Sequence, residues 1–128
     1  KHLDLKHVSF CLFAGPLKQS GTKFIANSAV AIRPGKIDRS PTGTGVSARL
    51  AVLYSEGKIK KGDIFKAKSI IGSSFEGKVL TDGSMDGFDF IVPEISGQAW
   101  ITGTHQHWLD PSDPWPEGYR SNDTWGVT

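Results

Sequence analysis

At 128 residues the chain is long enough for one domain with a single core, and we predict one domain over residues 1–128. Its 15 basic and 13 acidic residues leave a dispersed net charge of +2, and no apolar run approaches the length of a membrane span, so binding to nucleic acid or to membranes is not expected. A lone cysteine, Cys11, excludes an internal disulfide and favours a reducing, cytoplasmic setting.

Two short strands are predicted in the first quarter of the chain. Residues 8–13 (VSFCLF) and 27–32 (NSAVAI) are rich in β-branched or apolar residues, and a glycine and a proline follow each run within four residues. The polar stretch at 17–22 predicts a loop between them.

The stretch from residue 38 to residue 57 predicts the one helix of the chain. Ser40 is a suitable N-cap, Pro41 fits the first helical position, and Gly57 suits the left-handed position that ends a helix. The apolar residues between these ends spread round most of the helical cylinder, a pattern typical of a buried helix. We therefore expect this helix to run through the core.

Two glycines stand at the start of this helix. Gly43 and Gly45 each disfavour the helix by about 1 kcal/mol relative to alanine, but they leave bare N–H groups at the positive end of the helix dipole. Such a helix start suits a carboxylate or a phosphate, and a flexible loop before an ordinary core helix explains the spacing equally well. The pattern is neither a Walker loop nor the GxGxxG dinucleotide motif.

Further short strands are predicted after the helix. Asp82-Gly83 and Asp86-Gly87 predict turns, and a composition rich in Pro, Asp, Gly and Ser predicts an irregular tail from about residue 109. Strands are predicted over residues 64–71, 75–80 and 88–92, with one more extended segment over 98–108. These elements predict an α+β domain, a mostly antiparallel sheet wrapped around one buried central helix.

Residues 38–49 (DRSPTGTGVSAR) resemble the second active-site motif of the proline racemase family, which includes 4-hydroxyproline epimerases and trans-3-hydroxy-L-proline dehydratases. The likeness continues over residues 69–77 (SIIGSSFEG) and 92–103 (VPEISGQAWITG), and covers most of the chain from about Asn27 onward. It implies the diaminopimelate-epimerase-like fold, in which two pseudo-symmetric halves, each a sheet wrapped around a helix, enclose an active site in the cleft between them.

The chain matches the C-terminal part of that pattern. The other half, with its own Cys-Gly-His motif, is absent, and the chain begins at Lys1 rather than at a methionine, which suggests an excised or truncated piece. Cys11 lacks the neighbours of that motif and is not expected to be the catalytic cysteine. The resemblance thus implies a missing N-terminal half as partner. We expect activity only in the complete protein and none in this chain by itself.

Position 42 separates the activities within the family. In racemase members a cysteine stands at the position of Thr42 and exchanges protons with one face of the substrate α-carbon. A threonine hydroxyl is too weak an acid for that role, whereas a thiol has a pKa of about 8.5 that a helix N-terminus lowers further. The resemblance therefore implies a cofactor-independent trans-3-hydroxy-L-proline dehydratase, which forms Δ1-pyrroline-2-carboxylate by α-proton abstraction and loss of water.

The resemblance also assigns roles to individual residues. The backbone N–H groups of Gly43 and Thr44 are expected to bind the carboxylate of an imino acid substrate, and Asp38 its ring ammonium. Thr42 is expected to lie over the face opposite the base and to donate to, or orient, the departing hydroxyl. The base is a cysteine of the missing half.

Other residues with chemical potential have simpler explanations. His105 and His107 share one face of the extended segment predicted there, but no third ligand stands at a recognisable spacing, so no metal is expected. Arg49 on the helix is interpreted as an internal ion-pair partner. The four tryptophans are interpreted as core residues or as anchors against the missing half.

Three alternatives stay open. A proline racemase or 4-hydroxyproline epimerase is disfavoured by Thr42. A stand-alone module would bind proline-like carboxylates without turnover. A homodimer would supply both halves from two copies, but it would present two threonines and no cysteine base.

Overall fold

A computed structural model describes residues 8–119. These residues fall into two units, one ending at Gln98 and the other beginning at Ala99, and the prediction of a single domain stays a prediction. The first unit holds seven strands and one helix. In chain order they are β1 (Phe10–Ala14), β2 (Lys18–Ser20), β3 (Lys23–Ile32), β4 (Lys36–Ile37), α1 (Gly43–Ser55), β5 (Ile64–Lys68), β6 (Ser74–Met85) and β7 (Phe88–Ser96).

Strand β3 organises the sheet. Its first half pairs with β2 and β5, and its second half pairs with β1 and β4. The order of the main path is β1-β3-β5-β6-β7, and β2 lies within a stretch that was predicted as a loop. The β3–β5 pair is parallel, and helix α1 supplies the long crossover connection that a parallel pair needs. The other strand pairs are antiparallel. The predicted sheet-dominated α+β architecture is confirmed, with the sheet curled into half of a barrel.

Helix α1 buries one face against this sheet. Val46, Leu50 and Leu53, at spacings of three and four residues, are at most 1% exposed. They form one cluster with Phe24, Ala26, Phe65, Ala67 and Val79 of the strands. On the opposite face Ala48 is exposed and Val52 is 45% exposed. The prediction of a helix buried all round is wrong for that face, because the half-barrel formed by residues 8–98 covers the helix from one side.

The C-terminal end of α1 has the geometry predicted for it. Gly57 adopts a φ of 67°, which a side chain would disfavour. Its N–H donates to the carbonyl of Tyr54 at 3.0 Å, and the N–H of Lys58 donates to the carbonyl of Leu53 at 2.9 Å. These two bonds form the Schellman pattern that ends many helices.

Strands β6 and β7 form one long hairpin. Its two turn residues, Asp86 (φ 54°) and Gly87 (φ 81°), both lie in the left-handed region that a two-residue type I′ turn requires. The other pair, Asp82-Gly83, does not turn the chain but continues β6. Gly83 lies opposite Phe90 of β7, where an added Cβ would come within 2.7 Å of the ring Cζ. The glycine therefore makes room for an aromatic neighbour.

The second unit has no helix or strand among residues 99–119. Trp100, Ile101 and Trp108 are 73%, 92% and 80% exposed. The extended segment predicted over 98–108 is therefore wrong as a strand, because no ladder forms within residues 99–119 to pair its backbone groups. Residues 109–119, predicted as part of an irregular tail, form turns and a bend but no helix or strand.

Candidate functional site

Asp38 begins the candidate site. It follows β4 directly, and its N–H donates to the carbonyl of Val30 on β3 at 2.9 Å, so the sheet fixes the start of the loop. Its carboxylate accepts two hydrogen bonds from the residues that follow. Oδ1 accepts the N–H of Ser40 at 2.8 Å, and Oδ2 accepts the hydroxyl of Thr42 at 2.6 Å. The loop before α1 is thus wound around one carboxylate.

The same two hydrogen bonds control the charge of Asp38. The hydroxyl of Thr42 is the largest cause, and the N–H of Ser40 the next, of a carboxyl pKa below the ordinary value, while desolvation acts in the opposite direction. Asp38 is therefore ionised at neutral pH. Because an ionised carboxylate has about four lone-pair sites, it retains capacity for a cationic ligand.

Thr42 has a backbone conformation that is unusual for a β-branched residue. Its φ is 62° and its ψ is 105°. Such a conformation costs on the order of 1–3 kcal/mol, and residues that hold it cluster at functional sites. The N–H of Thr42 donates to Oγ of Ser40 at 3.1 Å and its hydroxyl is held by Asp38, so two local bonds keep the strained residue in place.

Helix α1 begins later than the sequence predicts. Its first residue is Gly43 and its N-cap is Thr42, so the prediction of Ser40 as the cap and Pro41 as the first helical residue is wrong. The reason lies in Thr42, whose left-handed φ of 62° interrupts the helical backbone, so the helix starts at Gly43. A pattern of cap residues does not reveal this backbone conformation.

The first N–H groups of α1 are left without partners. The hydroxyl of Thr42 makes no cap hydrogen bond, and the first N–H used inside the helix is that of Val46, which donates to the carbonyl of Thr42 at 2.8 Å. Within residues 8–119 no acceptor pairs with the N–H groups of residues 43–45. They lie at the positive end of the helix dipole, where an anion is stabilised.

The two glycines at this helix start are explained differently. An added Cβ on Gly45 would come within 2.8 Å of Cδ1 of Leu12, so this glycine lets β1 approach the helix closely. An added Cβ on Gly43 would meet nothing within 4 Å. Packing inside the described unit therefore accounts for Gly45, whereas Gly43 keeps open space beside the unpaired N–H groups.

A second loop, which the sequence analysis gave no role beyond the family resemblance of residues 69–77, supports the first. Oγ of Ser73 donates to the carbonyl of Arg39 at 3.2 Å, and Oγ of Ser69 lies 2.7 Å from Oγ of Ser73. Ser69 is 6% exposed, and its N–H donates to the carbonyl of Ser73 at 2.9 Å. The turn between β5 and β6 thus holds the loop that carries Asp38 and Thr42. The Gly-Ser-Ser sequence was the one available signal, and it does not specify a partner.

The four predicted site residues, Asp38, Thr42, Gly43 and Thr44, lie together at the mouth of α1, and their roles toward a substrate remain predictions. The arrangement offers an ionised carboxylate, a hydroxyl and unpaired N–H groups within one short stretch. These are groups that bind an ammonium and a carboxylate of the same small molecule.

Other residues considered from the sequence contribute nothing to this site. Arg49, interpreted as an ion-pair partner, makes no ion pair with a described residue, and its Nε is buried without a hydrogen-bond partner there. His105 and His107 stack with ring centroids 6.3 Å apart. Across residues 8–119 no group of three or more His, Cys, Asp or Glu side chains is placed to hold a metal ion. In the same part of the chain, no helix is long and apolar enough to cross a membrane.

A sequence model of the proline racemase family matches residues 1–120, a range that contains the whole site. The chain belongs to the proline racemase family.

Two solved structures from this family are similar to the chain. A hydroxyproline epimerase from Agrobacterium vitis with bound trans-4-OH-L-proline is 35% identical, and the match covers 94% of this chain and 33% of that one, with a TM-score of 0.64. A probable proline racemase from Agrobacterium radiobacter K84 with bound carbonate is 38% identical, with 93% and 34% of the two chains covered and a TM-score of 0.65. The chain thus spans about a third of the length of these racemase-family proteins.

Proposed function

We propose that the chain is the C-terminal part of a cofactor-independent trans-3-hydroxy-L-proline dehydratase. The observation that carries the proposal is the side chain at position 42, a threonine whose hydroxyl donates to the carboxylate of Asp38 at 2.6 Å. Racemisation needs two groups that exchange protons with the α-carbon, one on each face. A hydroxyl is a far weaker acid than a thiol of pKa about 8.5, so proton transfer is limited to one face. When the α-proton is removed from one face and the β-carbon carries a leaving group, the reaction proceeds to elimination.

The substrate is held by groups at the start of α1. Its carboxylate accepts hydrogen bonds from the N–H groups of Gly43 and Thr44, which have no acceptor among residues 8–119. Its ring ammonium donates to the ionised carboxylate of Asp38. As the α-proton leaves, negative charge spreads from the α-carbon into the substrate carboxylate, and the N–H groups and the helix dipole stabilise that charge.

The reaction is a β-elimination that balances without a cofactor. A base takes the α-proton, and the electron pair of the broken C–H bond becomes the second bond between the α- and β-carbons. The β-hydroxyl, oriented by Thr42, takes up a proton from solvent and leaves as water, and the base later returns the α-proton to solvent. The resulting enamine tautomerises to Δ1-pyrroline-2-carboxylate.

The base belongs to a part of the protein outside this chain. The chain spans about a third of the length of its solved relatives, which supports a two-half enzyme of diaminopimelate-epimerase-like architecture with the substrate in the cleft between the halves. In this proposal a cysteine of the N-terminal half abstracts the proton, the chain alone is inactive, and the complete enzyme is cytoplasmic.

A proline racemase or 4-hydroxyproline epimerase is the second candidate. It is favoured by the two solved relatives, a hydroxyproline epimerase at 35% identity, which holds bound trans-4-OH-L-proline, and a probable proline racemase at 38% identity. It requires a proton donor on the second face, and Thr42 is the residue of this chain that the family motif puts there. A module that binds proline-like carboxylates without turnover would keep the same binding groups.

The deciding experiment uses the full-length protein in D2O. It is incubated separately with trans-3-hydroxy-L-proline, trans-4-hydroxy-L-proline and L-proline, and NMR follows Δ1-pyrroline-2-carboxylate and the α-proton signals. The proposal expects pyrroline product from the 3-hydroxy substrate and no inverted product from the other two. Inversion of 4-hydroxyproline or proline without pyrroline formation would establish the second candidate. Saturable binding of all three compounds without turnover or exchange would establish the binding module.

A further inference from the structure

A polar pair lies inside the otherwise apolar contact between α1 and the sheet. Ser28 is the polar member of a row of alternate β3 residues whose other members, Phe24, Ala26 and Val30, are buried, and Phe24 and Ala26 pack in the cluster that contains α1. On α1, Arg49 lies three positions after Val46 and four before Leu53, both buried, so it shares their face of the helix. Both polar side chains therefore enter a surface that is built for apolar packing.

One polar atom of each side chain is buried without a partner. Oγ of Ser28 and Nε of Arg49 have no hydrogen-bond partner among residues 8–119. Buried polar groups are nearly always hydrogen-bonded, so each of these two atoms is expected to have a partner other than residues 8–119.

Ser28 and Arg49 also line the same small cavity. Its volume is about 10 Å³, and its other walls are largely apolar side chains of β1, β3, β5 and α1, among them Leu12, Val46 and Phe65. A space of roughly 10–15 Å³ for the centre of a water-sized sphere is what one water molecule needs. A carboxylate or a phosphate is larger than this space.

We propose that this cavity is a binding site for one structural water molecule that joins Ser28 to Arg49. The water oxygen accepts the Nε–H of Arg49, and one water hydrogen is donated to Oγ of Ser28. The water links the second turn of α1 to β3. Since Asp38 is also held to β3, through its bond to the Val30 carbonyl, the link keeps the start of α1 at a fixed distance from that carboxylate. The site is independent of which reaction the enzyme performs.

The direct test is a high-resolution crystal structure of the full-length protein. An ordered water within about 2.7–3.2 Å of both Oγ of Ser28 and Nε of Arg49 is expected. A cavity without density for a water would overturn the proposal. So would a carboxylate from another part of the protein bound to Nε of Arg49.

A double-mutant cycle on the same protein gives a second test. Ser28→Ala and Arg49→Met each remove one partner of the water, so the double variant should lose clearly less stability than the sum of the two single losses, measured as urea midpoints. Ser55→Ala, on the exposed face of α1, is the matched control and should be additive with Arg49→Met. Additivity of Ser28→Ala with Arg49→Met would contradict a shared water. If a variant fails to fold, the crystal structure alone decides.

Discussion

The hydroxyl of Thr42 donates a 2.6 Å hydrogen bond to the carboxylate of Asp38 four positions earlier in the chain. The Thr42 side chain contacts Asp38 and makes no cap hydrogen bond to α1, and the first N–H groups of the helix stay unpaired within residues 8–119. The same bond lowers the pKa of Asp38 and helps to hold Thr42 at a φ of 62°. The residues joined by this hydrogen bond thus place an ionised carboxylate, which can bind a cation, beside unpaired N–H groups, which can bind an anion.

Replacement of Thr42 by cysteine tests the proposed division between elimination and racemisation. Thr42→Cys supplies a thiol at a helix N-terminus, where its pKa falls and it can exchange a proton with carbon. The full-length variant should gain α-proton exchange on proline or 4-hydroxyproline in D2O. Its dehydration rate should fall, because the thiol is a weaker hydrogen-bonding group than the Thr42 hydroxyl for orienting the departing hydroxyl.

Thr42→Ser is the matched control for that experiment, because it keeps a hydroxyl at the same position. It should retain most of the dehydration and show no exchange on proline. If Thr42→Cys and Thr42→Ser behave alike in both assays, the chemistry of the side chain at position 42 does not select the reaction.

The acid stability of the fold should depend on the hydroxyl of Thr42. Thr42→Val keeps the branched shape but removes the largest cause of the lowered pKa of Asp38. A carboxyl whose folded-state pKa is depressed stabilises the fold above its unfolded pKa, about 3.9, and loses that contribution as the pH falls through the folded value. The variant should be less stable than the parent at neutral pH, and the gap should shrink below about pH 4.

Thermal unfolding of parent and variant from neutral to acid pH measures this gap. Thr44→Val is the control, since Thr44 is exposed and its side chain does not contact Asp38 by a hydrogen bond among the described residues. A gap for Thr42→Val that stays constant down to acid pH would mean that the loss is packing rather than charge.

The two glycines at the start of α1 should respond oppositely to alanine. Gly43→Ala meets open space, so the fold should gain up to about 1 kcal/mol from the lower chain entropy of the unfolded state. Its methyl group would stand beside the proposed carboxylate site, so KM should rise. Gly45→Ala should gain less stability or lose some, because Leu12 must move away from the new Cβ.

Unfolding temperatures and substrate kinetics of the two full-length variants measure these effects. The explanation given for Gly43 fails if Gly43→Ala leaves KM unchanged while it stabilises the fold.

Removal of the Ser73 hydroxyl should loosen the site loop. Ser73→Ala breaks the bond to the Arg39 carbonyl and leaves the buried Ser69 hydroxyl without that partner, a loss of about 1–3 kcal/mol. Because the loop carries Asp38 and Thr42, KM should rise together with the loss of stability. The neighbouring Ser74→Ala, whose hydroxyl makes no hydrogen bond with a described residue, should change neither. Equal effects of the two substitutions would argue against the link.

Local sequence patterns predicted those parts of the fold that local forces decide. The glycine at position 57, the Asp86-Gly87 turn and the β-rich segments follow from the conformational preferences of single residues or short runs. The motif at residues 38–49 located the candidate site because its residues are contiguous, so no knowledge of the fold was needed to bring them together.

Features that depend on distant contacts were missed or wrong. The bond from Ser73 to the Arg39 carbonyl joins positions 34 residues apart, and no short pattern encodes such a partner. Gly83 was predicted to lie in a turn, but the strand register places it within β6, opposite Phe90 of β7. In each case the deciding neighbour is specified by tertiary structure.

The parallel pairing of β3 with β5 has a consequence for the synthesis of this protein on the ribosome. Lys23–Asn27 pairs with Ile64–Lys68, and the site loop and helix α1 lie in the connection between these two segments. After β3 emerges from the ribosome, the edge of β3 that later pairs with β5 has no partner until β5 is made, which takes roughly 2–7 s at ordinary rates of translation. Open strand edges with apolar faces recruit other chains, and this one includes Phe24 and Ala26. Ribosome pausing within residues 28–63 should therefore lower the yield of soluble protein without altering a single contact of the finished fold.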